Sequence, residues 1–170
     1  MSLSGEALEH VTIEAMLPHS VAAIIEFQTE NKAGLLQRLR RTLRIVGGTL
    51  TPTSYLFEKQ GRIMYEKKDG ATADGCMDQA IEAGATDITS DEEGRIVVFT
   101  DPTETKSVSE ALSKSAGLTI EQLEIIWAPN QDTLIDLKDE EQIHAIEEAL
   151  AAIREEASIR DIYLNTTQPF

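Results

Sequence analysis

The side chains most able to do chemistry in this sequence are basic, and they cluster between Lys32 and Lys68. That segment carries nine Lys and Arg residues against two acids, whereas the rest of the chain carries 6 basic and 28 acidic residues. Guanidinium and ammonium groups bind phosphate oxygens strongly, so a polyanion is the partner that such a segment suits. The candidate nucleic-acid contacts are Lys32, Arg38, Arg40, Arg41, Arg44, Lys59 and Arg62.

The densest part of this segment is Arg38 to Arg44, where four arginines occupy seven positions without an intervening acid. Solvated protein surfaces usually mix both signs of charge, so this run indicates binding to RNA, DNA or a ribosome. Two other interpretations stay open. The arginines could simply solvate a surface helix, or they could pair with the acidic surface of the same molecule, whose formal net charge is −15.

No catalytic or metal site is predicted. The three histidines, His10, His19 and His144, lack the close spacing of zinc ligands, and Cys76 has no basic neighbour in sequence to activate it. The glycine-rich motifs that hold nucleotide phosphates are absent. Acidic residues are so numerous that pairing any two as general acid and base has no specificity. We therefore expect a protein that is not an enzyme and that uses no cofactor.

Composition places the chain among ordinary globular proteins. With 170 residues and 41% hydrophobic residues, it can form one domain or two small ones around packed cores. No apolar run approaches the roughly 20 residues of a membrane span, so none is expected. The single cysteine fits a reducing compartment.

Hydrophobic patterning in the first 70 residues predicts two strands, over residues 11–16 and 21–29, joined by a turn at residues 17–20. An amphipathic helix follows, with its arginines opposite an apolar stripe, and it ends at Gly47-Gly48. Residues 54–58 and 62–67 then predict a hairpin, with Gly61 in the turn.

The remaining pattern predicts a helix over 73–83, a hairpin of 86–89 with 95–100, a helix over 103–115 and a strand over 123–127. After a break at Pro129, a helix over 138–157 and a strand over 159–164 follow. The outer segments indicate an α+β fold, a ferredoxin-like βαββαβ-type domain with an extra leading strand, interrupted by a second small α/β domain. The predicted domains are 9–67 with 132–166, and 68–131.

Several short motifs resemble those of the YebC family. They are Ser54 to Ile63 after the glycine pair, Glu82 to Asp87, Ala116-Gly117-Leu118 and Pro129, and the likeness covers about residues 11–164. That family comprises bacterial proteins described as transcriptional regulators and a mitochondrial branch described as translational activators of cytochrome c oxidase subunit I. The resemblance implies the family's second and third domains, the third inserted in the second, with its basic helical N-terminal domain absent.

Two departures from the family pattern favour a diverged organellar member. Residues 17–20 keep only the proline of a glycine-rich turn, and residues 30–34 replace an Asp-Asn-Arg-Asn-Arg-like helix entry. The resemblance therefore implies a non-enzymatic translational activator in the mitochondrial matrix that acts on ribosome or RNA. The alternatives are a cytoplasmic transcriptional regulator of the same family, and a small-molecule-sensing or protein-interaction module, because fold alone does not decide function.

Overall fold

The structure, a computed structural model, describes residues 7–170. The chain divides into two compact units, the first up to Glu58 and from Ala128 to Phe170, the second Lys59–Trp127. The strands are β1 (Glu9–Leu17), β2 (Val21–Thr29), β3 (Thr49–Leu50), β4 (Phe57–Tyr65), β5 (Asp87–Ser90), β6 (Ile96–Thr100), β7 (Ile120–Pro129) and β8 (Ile159–Leu164). The α-helices are α1 (Lys32–Val46), α2 (Met77–Ala83), α3 (Thr105–Ala116) and α4 (Glu140–Arg154).

The first unit is built on a four-stranded sheet of order β3-β1-β2-β8. Strands β1 and β2 form an antiparallel hairpin in which Leu17 faces Val21 across the turn. Alternate residues of β1 are buried, as the period of two in a strand requires, whereas β2 is buried along nearly its whole length. This explains why the sequence of β2 is almost continuously apolar.

Helices α1 and α4 contribute to the same core as one face of this sheet. Leu35, Leu39 and Leu43 of α1 lie in one cluster with Ile146 and Ile153 of α4. All of them are at most 1% exposed. Burial of each such side chain stabilises a fold by about 1.5–3 kcal/mol, so this aliphatic layer holds α1 in place and leaves its opposite side to solvent.

The second unit has a sheet of order β5-β6-β4-β7, and its elements follow the chain order β4-α2-β5-β6-α3-β7. Its core contains Ile63, Val98 and Leu112, together with Tyr65, whose hydroxyl donates to the Ser109 carbonyl at 3.0 Å. Burial raises the pKa of Tyr65 to about 12.

The predicted α+β class is confirmed, with two antiparallel sheets and four α-helices in the described chain. The predicted hairpin of residues 54–58 with 62–67 is wrong. Ser54–Leu56 form a single 3-10 turn, and β4 runs straight through the predicted turn to Tyr65. The βαββαβ order consequently belongs to the second unit, residues 59–67 group with that unit, and the first unit follows the order β-β-α-β and then α-β.

Gly61 explains why the pattern was misleading. It pairs with Thr100 inside the sheet, and a Cβ at this position would overlap the side-chain oxygens of Thr100 and Thr105. The glycine therefore allows the start of α3 to approach the strand closely. Close approach of another segment is a common reason for a glycine inside a strand. Sequence alone does not distinguish this role from a turn.

Candidate nucleic-acid interface

Helix α1 owes its position to local signals at both of its ends. Asn31 caps the start, where its side-chain oxygen accepts a hydrogen bond from the Gly34 backbone N–H at 3.0 Å. Gly47 ends the helix in the left-handed conformation, with φ of 85°, which glycine adopts without steric cost. The helix is therefore defined over its full 15 residues before its packing is considered.

Every charged side chain of α1 is basic. Lys32, Arg38, Arg40, Arg41 and Arg44 are all exposed, and α1 contains no acidic residue. Among the described residues, Arg40, Arg41 and Arg44 have no hydrogen-bond or ion-pair partner for their guanidinium groups. We call these five side chains the basic face of α1. Three of its side chains, Arg40, Arg41 and Arg44, present unpaired planar guanidinium groups, each of which can donate two parallel hydrogen bonds to a phosphate.

Arg38 differs from its neighbours because it is already paired. Its Nε donates to Glu156 Oε1 at 2.7 Å, and Glu156 also accepts hydrogen bonds from Ser158. The hydrogen bond to Glu156 raises the pKa of Arg38, and the same hydrogen bond from Arg38 is the main reason why the pKa of Glu156 is lowered. Arg38 thus links α1 to the segment that follows α4.

The other two candidates, Lys59 and Arg62, lie on β4 in the second unit, and each has a partner within that unit. The Lys59 ammonium lies 4.9 Å from the centroid of the Trp127 ring, a cation–π contact. Arg62 forms an ion pair with Glu124 of β7. The structure therefore groups five of the seven candidates on one helix and gives the remaining two intramolecular contacts.

Three aromatic side chains, Tyr55, Phe57 and Tyr65, lie close in sequence to the basic residues. Phe57 and Tyr65 are buried, at 6% and 0% exposure, whereas Tyr55 is 70% exposed in the turn before β4. Tyr55 alone of the three presents its ring to solvent, and stacking on a base requires an accessible ring face.

Ile45 of α1 is an exposed residue that the sequence-based list of candidate residues does not include. Ile45 is 78% exposed and follows Arg41 by four positions, which places it on the same side of the helix. The available signal was its position outside the apolar stripe that Leu35, Leu39 and Leu43 define on the helical wheel. An isolated exposed isoleucine needs no explanation, but this one lies among arginines.

No cluster of three His, Cys, Asp or Glu side chains suited to a metal ion occurs within residues 7–170. None of the helices in that range combines the length and apolar character that a membrane span requires.

A comparison with known families matches residues 8–166 to the model described as "TACO1/YebC second and third domain". This match covers nearly the whole chain. The chain belongs to the TACO1/YebC family. The predicted resemblance to the YebC family is thereby confirmed, and it concerns the second and third domains as expected.

Two curated relatives in the TACO1/YebC family come from bacteria. A probable transcriptional regulatory protein of Idiomarina loihiensis is 34% identical over 166 residues, which is 96% of this chain and 64% of the relative. A protein of the same description from Nitrosococcus oceani is also 34% identical, with the same coverage. The chain therefore spans slightly less than two thirds of these relatives' length. Both names describe regulatory proteins and neither names an enzymatic reaction.

A solved structure supports the TACO1/YebC fold. The crystal structure of a conserved hypothetical protein from Aquifex aeolicus matches with a TM-score of 0.79 and 28% sequence identity, over 99% of this chain and 69% of that protein. The names of the curated relatives describe the family as one of probable transcriptional regulatory proteins. This agrees with the regulatory part of the sequence-based prediction.

Proposed function

We propose that this chain regulates gene expression by binding nucleic acid, and that the basic face of α1 contacts the phosphate backbone. The observation that carries the proposal is the row of unpaired guanidinium groups on Arg40, Arg41 and Arg44. The names of the bacterial relatives support transcriptional regulation, and we propose DNA as the ligand.

The chemistry of this face suits backbone contacts better than base reading. Phosphate contacts position a protein on nucleic acid and carry no sequence information, whereas specificity requires side chains that reach base edges. Each neutralised phosphate of duplex DNA contributes a slope of about −0.9 to the dependence of log affinity on log salt concentration. Contacts from Arg40, Arg41 and Arg44 would therefore contribute a slope of roughly −3.

The experiment is a titration of fluorescently labelled duplex DNA at several salt concentrations, read by anisotropy. The Arg41→Ala/Arg44→Ala variant should bind at least tenfold more weakly at low salt, and its salt slope should be shallower by about 2. The matched control is Lys106→Ala/Lys114→Ala, which removes the same charge from exposed positions of α3. Equal losses in both variants would show that net charge, not the basic face, governs binding.

A second candidate function is activation of translation through RNA or the ribosome, as the family resemblance implies for the mitochondrial branch. The basic face supports it equally, because arginine binds the phosphates of RNA and DNA alike. The exposed Tyr55 ring favours it further, since unpaired bases stack on aromatic side chains.

Parallel titrations distinguish the two candidates. RNA and DNA oligonucleotides of one sequence, single-stranded and duplex, should be compared with wild-type chain and with Tyr55→Ala. A preference for single-stranded RNA that Tyr55→Ala abolishes supports the translational candidate, and a preference for duplex DNA supports the transcriptional one. Imaging of the intact protein in its source cell tests the two compartments that accompany these candidates, the mitochondrial matrix and the cytoplasm.

A further inference from the structure

We propose that the basic face of α1 also binds a second copy of this chain, through the acidic surface that α4 exposes beside it. The proposal goes beyond nucleic-acid binding and does not depend on it. It rests on two features of the first unit: the opposite charges that α1 and α4 expose, and the adjacency of the two helices.

The exposed surface of α4 is as acidic as that of α1 is basic. Its exposed side chains include four glutamates, and Glu155 directly follows the helix. His144 approaches two of these glutamates, at 4.0 Å and 3.2 Å, and Arg154 is the last residue of the helix. We call the five exposed acids the acidic face of α4; they are Glu140, Glu141, Glu147, Glu148 and Glu155.

The two faces lie next to each other on the same side of the sheet. Leu39 of α1 and Ile153 of α4 belong to one core cluster, and the Arg38–Glu156 ion pair of 2.7 Å joins the two helix regions. Apart from that pair, the basic face and the acidic face form no ion pair with each other within the described part of the molecule. Arg40, Arg41 and Arg44 have no acidic partner, and Glu140, Glu141 and Glu155 have no basic one among the described residues.

Apolar side chains lie near both charged faces. Ile45 projects from the basic face with 78% of its surface exposed. On the side of α4 away from α1, a groove of about 630 Å³ is lined by Ile143, Leu150 and Ala151, by Glu147 and Arg154, and by the C-terminal Gln168, Pro169 and Phe170. Ion pairs exposed to water contribute only about 0–1 kcal/mol each, so the dimer depends on several pairs acting together and should be weak and sensitive to salt.

The charge pattern is compatible with a closed dimer that has two-fold symmetry. A two-fold axis that lies between α1 and α4 and runs parallel to them places α1 of each copy over α4 of the other. Every contact then occurs twice. A two-fold axis across the helices would instead oppose α1 to α1 and α4 to α4, and like charges would repel. The charge pattern therefore selects the first arrangement and disfavours the second.

The test measures the oligomeric state of the 170-residue chain by sedimentation velocity at low and high salt. The wild type should form a dimer at low salt that dissociates at high salt. Arg41→Glu/Arg44→Glu and Glu147→Lys/Glu148→Lys should each weaken dimerisation at least tenfold, because each opposes like charges in both halves of the interface. The control Lys106→Glu/Lys114→Glu should dimerise as the wild type does.

The decisive measurement mixes the two reversed variants in equal amounts. In the mixed dimer, the two reversed faces meet in one half of the interface and the two unchanged faces meet in the other. Opposite charges therefore meet in both halves, and a heterodimer should form although each variant alone dimerises poorly. A wild type that stays monomeric at low salt overturns the proposal, and so does a mixture that fails to associate while circular dichroism shows both variants folded.

Failure of this proposal can be distinguished from failure of nucleic-acid binding. Glu147→Lys/Glu148→Lys removes the acidic face and leaves the basic face intact. It should therefore lose self-association and keep or strengthen its affinity for labelled DNA, whereas Arg41→Glu/Arg44→Glu should lose both.

Discussion

Arg62 and Arg95 of the second unit have acidic partners, whereas three arginines on α1 of the first unit have none among the described residues. In the second unit, Arg62 pairs with Glu124, and Arg95 contacts Asp91, Glu93 and Glu121 at 2.7, 3.2 and 2.8 Å. In the first unit, the guanidinium groups of Arg40, Arg41 and Arg44 have no such partner among the described residues. Paired arginines hold strands and turns together, whereas unpaired ones remain available to a phosphate or to another protein.

Arg95 shows what pairing does locally. Its Nε donates to Asp91 at 2.7 Å, across the turn between β5 and β6. Desolvation alone would raise the pKa of Asp91, but the hydrogen bonds from Arg95 outweigh it and the pKa is lowered. The ionised carboxylate accepts further backbone bonds from Glu93 and Arg95, which close the turn. Arg95 therefore has a structural role that the arginines of α1 do not share.

The largest expected effect separates the two sides of α1. Leu39→Ala should destabilise the first unit by about 2–5 kcal/mol, because it removes a side chain that is 1% exposed from a packed core. Ile45→Ala on the same helix should change stability by less than about 0.5 kcal/mol. Denaturant unfolding followed by circular dichroism checks both. A large loss in Ile45→Ala would mean that this residue is buried in the folded chain.

The next effect is an alkaline destabilisation specific to the second unit. Burial raises the pKa of Tyr65 from 10.0 to about 12, so the folded state favours the neutral phenol. Its contribution is complete below pH 10 and is lost as the pH rises to about 12, with a ceiling of about 3 kcal/mol. Tyr65→Phe should remove this loss in unfolding measurements across that range. Tyr55→Phe, at a site that is 70% exposed, should not.

Gly61→Ala should destabilise the second unit by about 1–3 kcal/mol, because the new methyl group overlaps Thr105 and Thr100. Hydrogen exchange should place the loss in β4, β6 and α3. A cycle with Thr105→Ala and the double variant should show a favourable coupling between the two sites, since Thr105→Ala removes part of the overlap. Additive losses would contradict a direct contact.

The smallest effect tests the arginine comparison directly. Arg62→Ala should cost the second unit about 1–2 kcal/mol, because it leaves the partly buried Glu124 carboxylate without its ion-pair partner. Arg41→Ala should leave thermal stability unchanged, since its guanidinium has no partner to lose. Equal stability losses in the two variants would remove the distinction between structural and available arginines.

Local sequence signals determined much of the molecule. Asn31, the Leu35-Leu39-Leu43 stripe and Gly47 define α1 and its basic face without reference to the rest of the chain, because caps and helical period act within a few residues. Strand β8 was predicted over the bounds that the structure shows, and the family motifs indicated the family that the comparison confirmed. The α+β class followed from the alternation of these elements.

Only the tertiary structure decided which strand joins which sheet and which charges are paired. A glycine at position 61 is compatible with a hairpin turn and also with a strand that a helix approaches closely. What distinguishes the two is the contact with Thr105, which is 44 residues away in sequence. Arg38 and Arg41 likewise have the same residue type on one helix, yet Glu156 reaches only Arg38. Contacts between distant residues arise from packing, which a local pattern does not encode.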